Sequence, residues 1–146
     1  MAWVSAAVVK RRVASVLGVG TPDDLPSHYD AAIADGTDRG YEKVCELLIG
    51  RGYTQAQLDT WRAREPWNKD AGVYFALEML GLDDDRSHAA MQSLYQRLFG
   101  KDGLATITLL DATGAVIEVG AGAAGANVSY GDVYVAQVAM GANDVQ

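Results

Sequence analysis

The sequence predicts a mainly α fold: a helical bundle of about four to five helices with a C-terminal β-hairpin/extended arm. Three observations predict it. Apolar residues recur at spacings of three and four through the first hundred residues, which is the period of one helix face. Residues that start and stop helices stand at the ends of those stretches. From Leu104 the pattern turns strand-like, ATITLLD and AVIEV around a turn at Ala112-Thr-Gly114. The expected organisation is a helical bundle domain over 1–100 and a β-hairpin and extended arm over 101–146.

The first helix is expected over 3–17, with Val9, Val13, Val16 and Leu17 on one side and Gly18-Val-Gly20 ending it. Thr21-Pro-Asp-Asp-Leu-Pro26 reads as a turn carrying start signals for the next element. A long helix from about Ser27 to Ile49 follows, striped by Tyr29, Ile33, Thr37, Gly40, Val44, Leu47 and Leu48. Ala32, Gly36 and Gly40 recur every fourth residue on an adjacent face. Glycine inside a helix costs about 1 kcal/mol against alanine, so Gly36 and Gly40 call for close approach of another backbone.

Gly50-Arg-Gly52-Tyr53 stops the long helix. Thr54 suits the N-cap of a short helix, Gln55–Arg62, because its hydroxyl can accept a free N–H of the first turn. Pro66 suits the first turn of a helix from about Trp67 to Leu80, with Ala71, Tyr74, Phe75, Leu77 and Leu80 on its packing side. Gly81 is its expected C-cap. Asp83-Asp-Asp85 favours the start of a helix over Ser87–Phe99, since carboxylates are stabilised at that end. Ala90, Met91, Leu94, Tyr95 and Leu98 are its expected buried side.

The β segments are too few for an independent sheet, because an isolated hairpin is marginal in water. The arm is therefore expected to lean on the bundle, on neighbouring copies or on another protein.

Composition narrows the function classes. The chain has 146 residues, 49% hydrophobic and 21% charged, with a net charge of −7. A chain of this length buries roughly 68–70% of its unfolded surface, enough for a proper core. The acidic balance opposes a protein whose main work is gripping phosphates with Lys and Arg. The lone Cys45, between Val44 and Glu46, reads as a small buried hydrophobe. The sequence starts with no signal-peptide pattern, and its apolar runs fall short of the roughly 18 residues that span a bilayer. A cytoplasmic site of synthesis is expected, with no membrane partner.

Motifs tested for chemistry give no catalytic, cofactor or metal residue. Gly120-Ala-Gly122-Ala-Ala-Gly125 spells a dinucleotide fingerprint, but Asn127-Val-Ser-Tyr-Gly follows where a helix would have to start, so it reads as a link. His28 and His88 are sixty residues apart and lack a second ligand at helical spacing. Asp83-Asp-Asp85 lacks the alternation and glycine of a calcium loop. Lys10-Arg11-Arg12 reads as a solvated helix face, with a basic contact patch as the alternative. Arg51, Arg62 and Arg64 read as surface residues or interface ion pairs. Trp61 and Trp67, close across a turn, read as core or as an aromatic anchor for a partner.

The stretch from Leu47 to Leu77 resembles small helical head-to-tail adaptor proteins (head completion or neck connectors) of tailed bacteriophages. The residues that carry the resemblance are Arg51, Gly52, Tyr53, Thr54, Gln57, Leu58, Trp61, Phe75, Ala76 and Leu77, with Leu25-Pro-Ser-His-Tyr29 before them. It covers about residues 20–82 and leaves out the arm; Gly36 and Gly40 stand where alanines are usual.

The resemblance implies a non-enzymatic virion structural protein of the neck, assembled in the host cytoplasm. It implies an oligomeric ring, commonly twelve copies, that binds beneath the portal protein, extends the DNA channel and docks the tail or stopper protein. Genomic DNA would pass through without specific binding. Subunit or partner contacts are then expected at Gly36, Gly40, Arg51, Trp61, Arg64 and Trp67, and in the arm at Val133, Tyr134, Val135 and Met140. The alternative reading is a small helical DNA-binding or regulatory module built on Thr54–Trp61.

Overall fold

The computed structural model describes residues 2–120, and these are mainly helical. Five helices occur in order: α1 Ala6–Val16, α2 Tyr29–Gly50, α3 Gln55–Leu58, α4 Arg64–Leu80 and α5 Asp85–Phe99, with a 3-10 turn at Pro22–Asp24. The chain divides into two compact units. One comprises Met1–Val44 with Ala63–Ile107, the other Cys45–Arg62 with Thr108–Gln146. The segment Cys45–Arg62, which the pattern places with the helices, thus groups with residues beyond the change in composition.

In the first unit several helix ends have an identifiable partner. Ser5 caps α1, its hydroxyl accepting from Val8 N. At the other end Arg86 Nε donates to Val16 O at 2.9 Å, closing one of the free carbonyls. Asp84 caps α5 twice over, accepting from Ser87 N at 2.7 Å and from Ser87 Oγ at 3.0 Å. Gly81 ends α4 with φ +60, the left-handed conformation that glycine adopts without a Cβ clash.

α4 is the centre of this unit and packs against both α1 and α5. Asn68 and the run from Asp70 to Val73 are buried, as are Phe75, Ala76 and Leu77, so most of its circumference is covered. The core joins Val9, Val13 and Ala14 of α1, Leu25, Ile33 of α2, Val73, Ala76 and Leu77 of α4, and Leu94 of α5. Tyr95, expected on the buried side of α5, is instead 49% exposed, because Leu94 and Leu98 already fill that side.

Close approach of α2 to α4 is where the glycines act. A Cβ on Gly36 would lie 2.6 Å from Ala76 N, and one on Gly40 would lie 2.6 Å from Gly72 N. Both distances are below any real carbon contact, so only glycine permits this crossing.

The second unit is held differently. After Gly50 the chain reverses, Tyr53 N donating to Leu48 O at 3.2 Å while Gly52 takes φ +109. Thr54 and Gln57 then form a reciprocal capping box over α3. Beyond Thr108 there is no extended strand among the described residues. Instead, isolated antiparallel bridges join Trp61 to Asp111 and Leu110 to Val116. The turn between Asp111 and Ala115 is tight, with Gly114 at φ +90. Residues 121–146, which include the last expected strand and most of the glycine link, lie outside the described part.

Candidate functional site

The residues expected at subunit contacts separate into three kinds of place. Gly36 and Gly40 are buried, and the backbone they admit within the chain is that of Ala71, Gly72 and Ala76 on α4. Trp61, read as core or as an anchor, is 2% exposed and lies among the buried residues. Arg64 and Trp67, one turn apart on α4, are half-buried, as is Arg51. Arg51 stacks its guanidinium 5.4 Å above the Tyr53 ring. Val133, Tyr134, Val135 and Met140 lie outside the described residues.

Trp67 lines an open pocket of about 530 Å³ with Gln96, Arg97, Lys101 and Asp102. Arg97 enters it from α5 and is fixed by Asp70 of α4, whose carboxylate Oδ2 accepts from Nε at 2.7 Å. Asp70 is buried, whereas the Arg97 side chain is 63% exposed. A buried carboxylate needs such a partner, and the exposed guanidinium can satisfy it while still facing solvent.

A second pocket, of about 280 Å³, lies where the start of α1 meets the start of α4. Trp3, Val4, Ser5, Val8, Glu65, Pro66 and Lys69 line it. Asn68 forms the join, with Oδ1 accepting from Trp3 N at 2.9 Å and from Val4 N at 3.3 Å. Its Nδ2 donates to Thr37 O at 3.3 Å. Asn68 has no exposed surface, so three chain segments depend on one satisfied amide. Trp3 also meets Tyr41 edge-on at 4.9 Å.

The broadest surface with partner-type chemistry is aromatic. Tyr74 of α4 lies 6.0 Å from both Tyr95 and Phe99 of α5, and those two are 5.1 Å apart. Phe75 adjoins Tyr74 at 5.2 Å and carries the Arg39 guanidinium at 5.2 Å over its ring. Exposed Tyr95 and half-buried Tyr74 and Phe99 make this a patch rather than core. Burial pushes the Tyr74 phenol up from its usual value, with Glu78 and then Tyr95 adding to the shift. It therefore stays a neutral donor.

The ionisable groups weighed for chemistry sit apart. His28 meets Tyr29 edge-on at 4.9 Å, and His88 lies 3.7 Å from Asp83, with both members of that pair exposed. Cys45 is buried. Among the described residues no group of three His, Cys, Asp or Glu side chains is placed to hold a metal ion. No described helix is long and apolar enough to cross a membrane. α3 is a single turn of four residues, shorter than the Gln55–Arg62 expected and too short to lie in a DNA groove as a recognition helix.

Asn68, Asp70 and the Tyr74–Tyr95–Phe99 patch were not singled out by pattern. Asn68 and Asp70 stand as polar residues in a helix otherwise buried, a signal visible only once the burial of α4 is known. Comparison with known proteins finds no family model, no curated protein and no solved structure that matches this chain.

Proposed function

We propose that the chain is a structural head-to-tail adaptor of a tailed bacteriophage, without enzymatic activity. It would form a ring, commonly of twelve copies, beneath the portal protein in the virion neck. The ring would extend the DNA channel and dock the tail or stopper protein. The observation that carries this reading is the segment from Arg51 to Trp61. The residues of the resemblance are the ones with a structural task there: Tyr53, Leu58 and Trp61 are buried, and Thr54 and Gln57 cap α3.

Two further features support it. The first unit offers a partner an aromatic patch and an open pocket with Trp67 and Arg97, residue types enriched where proteins meet. The net charge of −7 suits a channel wall from which DNA must leave freely. The C-terminal hairpin and extended arm over 101–146 would reach neighbouring subunits or the portal. Val133, Tyr134, Val135 and Met140 would add strands to a partner's sheet edge.

Co-expression of the full chain with the portal protein of the same phage tests the proposal. Co-purification of the two, and detection of the chain in mature virions, is the expected result. A chain that neither binds portal nor accompanies virions sinks it.

A further inference from the structure

Two helix faces of the first unit carry charges of opposite sign that form no ion pair among the described residues. On α1 the solvent side presents Ala7, Arg11, Arg12 and Ser15, all exposed, and the helix contains no acidic residue. Lys10, the third cation, is held by Asp30 at 2.9 Å. Arg11 and Arg12 form no ion pair among the described residues.

The outer stripe of α2, flanked by Arg39 whose guanidinium lies over the Phe75 ring of α4 at 5.2 Å, presents Ala31, Ala34, Asp35, Asp38 and Glu42, again all exposed. Spacings of three and four put them on one face. Asp35, Asp38 and Glu42 likewise form no ion pair among the described residues.

We propose that these faces are the two halves of a head-to-tail contact between copies. The Arg11–Arg12 face of one copy would seat on the Asp35–Asp38–Glu42 stripe of the next. The inference rests on the ring reading and names the surfaces that build it. Charge complementarity selects the occupant: like charges oppose α1 on α1 and α2 on α2, so the contact has a direction. A contact between two different faces is heterologous, and rings require that type. The alanines on both faces keep side chains short, so the helices can come close enough for the charges to meet. Exposed ion pairs contribute little individually, so this pattern sets partner and register rather than most of the affinity.

Sedimentation of the full chain, at low and high salt and with portal protein, tests it. The wild type should associate, and less so at high salt. A double variant Arg11→Glu, Arg12→Glu, and a second, Asp38→Lys, Glu42→Lys, should each lose about tenfold or more of the association. Each should keep the wild-type circular dichroism spectrum. An equimolar mixture of the two should recover association, because each reversed face then finds its complement.

If both variants associate like the wild type, the contact is wrong while the ring reading stands. If the folded variants fail and their mixture fails too, these faces do not meet and the inference falls. A wild type that stays monomeric, alone and with portal, overturns the contact and the ring together.

Discussion

The two units of this chain differ in how closely backbone segments approach one another within each unit. In the first, α2 and α4 come so close that a Cβ added at Gly36 or Gly40 would lie 2.6 Å from Ala76 N or Gly72 N. That region holds by close packing, where one added carbon is felt. The second unit has no comparable helix crossing. Its described part buries Tyr53, Leu58, Trp61, Leu109 and Ile117 and is tied by hydrogen bonds: the capping box of Thr54 and Gln57, Gln57 Nε2 donating to Glu118 O at 2.8 Å, Arg62 N to Leu110 O at 3.0 Å, and the Asp111 turn. A backbone crossing fails abruptly when overfilled, whereas a side-chain core fails when it is emptied.

Substitution at the α2–α4 crossing should give the largest effect. Gly40→Leu should destabilise by about 3 kcal/mol or more, measured by chemical denaturation, because its Cβ meets backbone atoms that cannot rotate away. Even Gly40→Ala should destabilise, although alanine is worth about 1 kcal/mol more than glycine in a helix. An alanine variant as stable as the wild type would show that the helices part at no cost.

Trp61→Ala tests the second unit at its largest buried side chain, 2% exposed, with an expected loss of about 3–5 kcal/mol. A loss below about 1 kcal/mol would show that the unit does not depend on this side chain. Asn68→Ala, back in the first unit, removes the acceptor for Trp3 N and Val4 N. It should cost about 1–3 kcal/mol and make the N-terminal residues cleavable by protease. Unchanged proteolysis would mean that the segment is anchored elsewhere. Thr54→Ala removes one capping bond and should cost about 1 kcal/mol.

The smallest effect concerns pH. The Thr113 hydroxyl, then the Ala115 N–H, hold the Asp111 carboxyl below its ordinary value, with the Thr113 and Gly114 N–H groups adding to this. A depressed carboxylate stabilises the fold above its unfolded value of about 3.9, and that contribution disappears as pH falls through the lower folded value. The Thr113 and Ala115 amide resonances should therefore titrate with a midpoint below that of an ordinary aspartate. A midpoint at or above about 3.9 would contradict the turn as described.

The contrast between units also explains which parts of the fold were legible in sequence. Helix positions were, since each is announced locally: Thr54 as a cap, Gly81 as a left-handed stop, Asp83-Asp-Asp85 at the start of α5. The need of Gly36 and Gly40 for a close backbone was legible from helix energetics, but not whose backbone. That depends on α4 being buried on most of its surface, which no single-face periodicity reports. Tyr95 departs from its expected buried place for the same reason, because tertiary neighbours decide burial. The strand-like pattern after Leu104 is realised in the described residues as bridges around a turn. β-branched alternation describes residues that suit a sheet without supplying the strands to pair with.

The connector reading stands or falls on assembly. Electron microscopy of the purified full chain mixed with a candidate phage portal protein is the most direct measurement. Closed rings of this chain stacked coaxially on the portal are predicted. Portal particles bare of added density, with the chain remaining as single copies, would contradict the account.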